Sequence, residues 1–293
     1  MYSLITFATD WGSKHGGINS FNTDFLKAFG IAYHLGAEVI CIVASATPEE
    51  IEEAHNAHVK LVALPYPPEE KLFSAKHAQA GIDELRNLKI SFDPNHTVWL
   101  GHDRITGTAA IEAAKIAGGR SALIHHMSYA HYESFAEDSK TAHSKNQEQQ
   151  RLFEQSDLIL AIGPLLRDAA HDLVGGAKSV HMLVPGLAEI DVQPAPKTFV
   201  AFLGGRSSGD AARVKQGYLS VAALAHAHKK ACEINMPDGL CKQPRLMLRG
   251  VDFAAEENSQ PNAKPEANLK AFAEKYADRA ITVLALPYTH DRN

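Results

Sequence analysis

Three stretches of this 293-residue chain set chemically capable side chains beside glycine, each where an apolar run gives way to something else. The first is Gly16-Gly17, which follows the opening apolar run and stands just before a helical pattern with Ser20 near its start. A glycine pair lets the backbone turn sharply and approach a ligand, and the free N–H groups and positive dipole end of the next helix favour a phosphate. A tight strand-to-helix turn accounts for the same pair equally well. The spacing is not that of a dinucleotide fingerprint, and no Walker lysine follows. The second is Gly101-His102-Asp103 at the end of the fourth apolar run, with His125-His126 at the end of the fifth. In an open parallel sheet ligands gather beyond the carboxyl ends of the strands, so these two titratable clusters are expected to point into one cleft. A histidine there can bind a substrate hydroxyl or act as acid or base. The alternative is an ordinary hydrogen-bonded histidine that closes a strand. Adjacent strand residues face opposite ways, so His125 and His126 are not expected to share a metal ion. The third is Gly204-Gly205-Arg206, with Lys215 about a turn into the next segment. A guanidinium fork, a point charge and free backbone donors suit a diphosphate; two solvated surface cations are the plainer reading.

The elements that must carry these residues alternate. Apolar runs lie at Leu4–Thr9, Val39–Val43, Val59–Leu64, Thr97–Gly101, Ala122–His126, Leu158–Ile162 and Val180–Val184. Several are nearly unbroken in Val, Ile and Leu, as strands covered on both faces are. Helical patterns separate them. In one, Phe21, Phe25, Phe29 and Ala32 form a stripe, and another runs from about Thr106 to Ala117. This pitch predicts an α/β fold with a parallel, doubly wound sheet. The proline-bearing stretch around residues 191–197 reads as a linker, giving an N-terminal domain over 1–190 and a second over 198–293. The second restarts the pattern with strands at Thr198–Leu203, Arg245–Arg249 and Ile281–Leu284. Helices are expected from about Ala212 to Ala231 and Pro265 to Tyr276, and a polar loop over Ala255–Lys264. Three strands and two helices are few for such a domain. The run from His131 to Gln155, mixed in charge, reads as a helix with a solvated face.

Composition narrows the class. Hydrophobic residues at 45% and charged residues at 22% describe a globular chain with a real core, not a disordered one. The net charge of −5, without a long basic stretch, argues against nucleic acid as partner. Cys41, Cys232 and Cys241 lack both disulfide pairing and zinc-ligand spacing. The first ten residues carry no basic region or cleavage site, and no apolar run approaches the roughly 20 residues of a membrane helix. A soluble, cytoplasmic protein without a transmembrane segment is expected.

The ordered set Lys14-x-Gly16-Gly17, IHHMSY at 124–129, VPG at 184–186, and FLGGR followed by KQG at 202–217 resembles a retaining glycosyltransferase of the GT-B fold. Family 4 is the nearest group, with starch and glycogen synthases more distant. The similarity runs over essentially the whole chain. It implies an N-terminal Rossmann-like acceptor domain and a second Rossmann-like domain for a nucleotide-sugar, facing each other across a cleft. It implies that Gly16 and Gly17 approach the donor diphosphate, that His125 contacts the transferred sugar, and that Arg206 and Lys215 neutralise the leaving diphosphate. His102 and Asp103 would line the acceptor side. An unidentified carbohydrate or other hydroxyl compound would be the acceptor. Neither metal nor other cofactor is expected, since arginine, lysine and a helix end stabilise the leaving group.

The chain also departs from that family. Its members carry two glutamates seven residues apart in a glycine-rich segment after the strand matching Ile281–Leu284, and this sequence ends about there. Glu266 and Glu274 have the spacing but precede that strand, on a polar helix with Lys270 and Lys275. The second domain is therefore expected to be truncated, and transfer to need the missing part. A non-catalytic ligand-binding or assembly module is the alternative, and a nucleotide-sugar epimerase or phosphorylase a more remote one.

Overall fold

The computed structural model describes residues 1–12, 16–66, 72–132, 139–186, 198–204, 217–234, 244–251 and 281–287, with Pro194 and Lys275. It divides into two compact units, Met1–Leu187 and Ala188–Asn293.

Seven strands form the sheet of the first unit: β1 (Tyr2–Phe7), β2 (Ala37–Val43), β3 (Val59–Ala63), β4 (Thr97–His102), β5 (Arg120–His125), β6 (Leu158–Ile162) and β7 (Val180–Leu183). All pair in parallel, in the order β3-β2-β1-β4-β5-β6-β7. The chain winds outward from β1 in one direction and from β4 in the other, so the order reverses between those two strands. Helices α1 (Gly17–Tyr33), α2 (Pro48–Asn56), α3 (Ala75–Asn87), α4 (Asp103–Ala117), α5 (Tyr129–Tyr132), α6 (Ser139–Gln155) and α7 (Gly163–Leu173) connect them.

Strand alternation deals side chains to two cores. Ile5, Phe7, Ile40, Ile42, Trp99, Leu123 and Ile159 face one layer with Ile82 and Leu85 of α3, Ala109 and Ala113 of α4, and Leu152 and Phe153 of α6. The intervening positions Val39, Cys41, Val43, Leu100, Ala122 and Ile124 face the other layer, where Leu26, Phe25 and Phe29 of α1 and Ala54 of α2 pack. Burying a Leu- or Phe-sized side chain contributes about 1.5–3 kcal/mol, so each layer is held by many such increments. A capping box starts α2: Glu50 N donates to Thr47 Oγ1 at 3.3 Å and Thr47 N to Glu50 Oε2 at 3.0 Å, with Pro48 next.

The burial of two helices is finer-grained than their sequence patterns imply. The phenylalanine stripe of α1 is only half-buried; its rings contact one another in series, Phe21 on Phe25 and Phe25 on Phe29. The fully buried face is Asn19, Asn22, Thr23, Leu26 and Gly30, polar over its first half. Helix α6 has the solvated face its mixed charge implies, at Thr141, His143, Ser144, Gln147, Arg151 and Glu154, and a buried face opposite it. Ala142, Gln149, Leu152 and Phe153 are buried, because their spacing forms an inward stripe that a run of charged neighbours disguises.

In the second unit β8 (Val200–Gly204), β9 (Arg245–Val251) and β10 (Thr282–Pro287) make a parallel sheet in the order β10-β9-β8. Helix α8 (Gly217–Glu233) supplies Val221, Leu224 and Ala225 to a small core with Leu246, Leu248, Ile281 and Val283. The helix expected at 265–276, with Glu266 and Glu274, the loop at 255–264 and most of the linker at 191–197 lie outside the described residues. No described helix is long and apolar enough to cross a membrane.

Candidate functional site

The site collects at the carboxyl ends of β1, β4 and β5, where the strand order reverses. A glycine contact sets the end of β4. A side-chain carbon at Gly101 would lie 2.8 Å from the Gly107 Cα, so only glycine lets the first turn of α4 approach the strand this closely. The chain then turns through Asp103, whose φ of 43° is left-handed. Asp is among the few non-glycine residues that tolerate this conformation, and its side chain here has strong reasons to hold it.

Asp103 is 1% exposed and accepts three hydrogen bonds. Its Oδ1 lies 2.8 Å from His125 Nδ1 and 2.8 Å from Gln149 Nε2, while its Oδ2 accepts from His126 N at 2.8 Å. Both protons of the Gln149 amide are used, the second on the Met127 carbonyl at 3.1 Å. Among the described residues the buried Gln149 Oε1 has no partner. Thus one carboxylate ties the end of β4, the end of β5, the following loop and α6 together. Beside it, Arg104 Nε donates to Glu148 Oε2 at 2.7 Å and its guanidinium stands 5.5 Å over the Tyr129 ring, joining α4, α6 and α5.

His102 and His126 belong to the opposite face. His102 lies with Nε2 2.9 Å from Asn22 Oδ1 and Nδ1 2.8 Å from His126 Nε2, and its backbone N donates to Thr106 Oγ1 at 2.8 Å. His126 meets the Phe21 ring edge-on at 5.1 Å, whereas His125 meets Phe153 at 5.2 Å. The adjacent histidines therefore point to α1 and α6 respectively, as strand alternation requires. Burial pushes the His102 imidazole down to about 3. It also drives His126 well below the ordinary value, aided by the nearby His102 and His125 rings. Among the described residues no group of three or more His, Cys, Asp or Glu side chains is arranged to hold a metal ion.

The first turn of α1 borders the same end of the sheet. Gly16 has a φ of 111°, a conformation that demands glycine, and among the described residues no side chain caps the helix there. Gly17 is exposed at its start. Behind them Asn19 Nδ2 donates to Thr9 Oγ1 at 2.8 Å and to Asp10 Oδ2 at 3.3 Å, and Gly12 N donates to Thr23 Oγ1 at 2.8 Å, fixing the turn after β1. The structure thus brings Asp103 and His125 together on the α6 face and His102 together with His126 and Asn22 on the α1 face, joined through Asp103 and the His126 backbone N, with Gly16 and Gly17 at the head of the helix that supplies Asn22. Arg206 and Lys215 lie outside the described residues. Sequence reasoning missed Asn22 and Gln149. Asn22 sits on a helix face judged by its phenylalanines; Gln149 sits in a glutamine-rich run where no single residue stands out.

The fold is that of GT-B glycosyltransferases. Sucrose-phosphate synthase from Thermosynechococcus elongatus superposes with a TM-score of 0.61 at 14% identity, over 99% of this chain and 71% of that one. Anabaena HepE, solved with UDP and glucose, is similar at a TM-score of 0.57 and 15% identity, over 98% and 69%. TarM gives 0.58 and 8%, over 99% and 77%. A search of curated proteins found no match. The sequence itself matches Family 4 Glycosyltransferase in conflict systems from residue 5 to residue 293, and the chain belongs to that family.

Proposed function

We propose that this protein transfers a sugar from a nucleotide-sugar to an acceptor hydroxyl with retention. The observation that carries the reading is the carboxylate–imidazole cluster at the point of strand reversal, in a chain of this family. The structurally similar HepE was solved with UDP and glucose and, separately, with UDP-glucose, which makes a UDP-sugar the first donor to try. In the reaction the acceptor oxygen bonds to the anomeric carbon as the bond from that carbon to the diphosphate breaks. The acceptor proton leaves toward the departing phosphate. Charge grows on the leaving group, and stabilising it is the main task.

The roles follow from the residue types. The head of α1, opened by Gly16 and Gly17, suits the donor diphosphate. Arg206 and Lys215 supply the full positive charges that a helix end does not. His125, as buried as His102, has its Nδ1 held by Asp103 and its ring against Phe153, and the proposed role at the transferred sugar is carried from that position, with Asp103 keeping the ring oriented. His102 serves the acceptor side through its neighbours, being itself buried. No metal or other cofactor enters this scheme.

The test measures nucleoside diphosphate release from UDP-, GDP- and ADP-sugars, alongside binding of each nucleotide by calorimetry. Binding that weakens at least tenfold in Arg206→Ala, and with it any turnover, is expected. Equal binding and turnover in the two proteins would remove Arg206 from the scheme. A non-catalytic ligand-binding or assembly module is the second reading. It predicts nucleotide binding that persists while no UDP-, GDP- or ADP-sugar is turned over.

A further inference from the structure

We propose that Asn22 and His102 are positioning residues that fix the tautomer of His126, so that its Nδ1 meets a ligand as a bare lone pair. The relay stands on hydrogen-bond geometry; the identity of the ligand group, a sugar hydroxyl, rests on the glycosyl-transfer reading above.

The relay starts on α1. Asn22 Nδ2 donates to Cys41 Sγ at 3.5 Å, and burial holds that thiol protonated by pushing it up to about 12. The amide oxygen is then the atom 2.9 Å from His102 Nε2. An amide oxygen only accepts, so the His102 proton sits on Nε2. A neutral imidazole has one N–H, which leaves His102 Nδ1 as an acceptor. The nitrogen 2.8 Å from it, His126 Nε2, must therefore be a donor. That places the one proton of His126 on Nε2. Its Nδ1 makes no hydrogen bond to any described residue, and His126 is half-buried while His102 is 1% exposed. Both rings end in the Nε2–H form, the one that neutral histidine ordinarily favours. Burial supports the neutrality of both, as the lowered values above indicate.

The alternative arrangement is equally definite. Were the Asn22 amide reversed, the Cys41 S–H would donate to its oxygen, His102 would accept at Nε2, and His126 would carry its proton on Nδ1. One choice at a buried asparagine thus decides whether the Nδ1 edge of His126 accepts or donates. In the arrangement observed, that edge can take a hydroxyl proton and has nothing to offer a phosphate oxygen. It is a recognition element for a neutral hydroxyl group, set from α1, two side chains away.

Nitrogen-15 spectra of the histidine-labelled full chain test the relay, with His126 assigned by loss of its signals in His126→Gln. The expected result is a neutral Nε2–H ring at pH 7, unchanged at pH 5. An Nδ1–H ring or an imidazolium at pH 7 would overturn the proposal. Asn22→Leu should release His126 into a mixture of tautomers, and an unchanged spectrum would remove Asn22 from the relay; should that variant not fold, the wild-type spectrum still decides. Calorimetric titration then addresses the ligand, using UDP and UDP-glucose as probes. His126→Ala should weaken UDP-glucose about 5- to 10-fold, one hydrogen bond's worth, and leave UDP unchanged. Equal losses for both probes would overturn the assignment of Nδ1 to a sugar hydroxyl. A wild-type protein that binds neither probe would sink the donor reading, while the spectrum would still judge the relay.

Discussion

Removing the Asp103 side chain strands three buried donors at once: His125 Nδ1, Gln149 Nε2 and the His126 backbone N–H. Each costs about 1–3 kcal/mol when left without an acceptor, and the cost falls where water can enter. The Asp103→Gly variant should therefore lose about 3–5 kcal/mol. In Asp103→Ala a second effect adds to the first. The left-handed backbone at this position, at a φ of 43°, costs an L-residue about 1–2 kcal/mol and glycine almost nothing. Alanine should accordingly be less stable than glycine here by about 1 kcal/mol, the reverse of their usual order on an α-helix. The assay is favourable because Trp11 and Trp99 are the two tryptophans of the chain and both are buried in the first unit. Urea unfolding followed by tryptophan fluorescence then reports that unit without the second. Variants within about 0.5 kcal/mol of wild type would refute the three-bond account. An alanine variant more stable than the glycine one would refute the backbone account by itself.

The same fluorescence signal checks two further expectations. Burial holds His102 neutral down to about 3 in the folded protein, whereas an unfolded histidine takes up its proton near 6.5. Stability is therefore fully present above about pH 6.5 and falls as pH drops from there toward 3. His102 alone should cost about 1 kcal/mol per pH unit in that window, with His126 adding to it. Urea midpoints at pH 7 and pH 5 measure the slope, and His102→Gln should flatten it; an unchanged slope would mean the acid sensitivity lies elsewhere. Gly101→Ala forces a methyl group toward the Gly107 backbone at 2.8 Å and should cost about 1–3 kcal/mol. A Gly101→Ala protein as stable as wild type would show that α4 has room to move away from β4.

Much of this architecture is legible in the sequence because strand residues buried on both faces must be apolar throughout. Val39–Val43 and Leu158–Ile162 stand out for that reason, and β6 falls on the residues expected of it. The location of the cluster is legible too: His102, Asp103 and His125 follow apolar runs, and a parallel sheet sends such residues to one edge. What joins them is not legible. The Asp103 contact with Gln149 spans 46 residues and the His102 contact with Asn22 spans 80, and neither leaves a local pattern. Asn22 is hidden by the phenylalanines beside it, because a stripe of large apolar residues looks like the buried face of a helix whether or not it is. In α1 the rings cover one another, and the tighter approach to the sheet goes to the smaller, polar side chains. Gln149 is hidden by composition: a charged, glutamine-rich helix reads as solvated until one of its glutamines is found under a buried carboxylate.

The charges of the cluster constrain how a nucleotide-sugar could be divided among its parts. Asp103 brings a negative charge, spent on three donors, and burial keeps His102 and His126 neutral. Arg104 is tied to Glu148 and lies over Tyr129, so it is not a free counter-charge. A diphosphate placed against this cluster alone would meet a carboxylate and neutral rings, which is unfavourable in a site of low polarity. Hydroxyl groups would meet acceptors, which is favourable. Under the proposed function a diphosphate must draw its positive charge from elsewhere, and the cations proposed at Arg206 and Lys215 carry the full charges this cluster lacks. The two halves of the proposal consequently fail independently. Loss of nucleotide binding in Arg206→Ala with an unaltered His126 spectrum would support both, whereas full nucleotide binding in that variant would leave the hydroxyl-recognising cluster standing and require another source of positive charge.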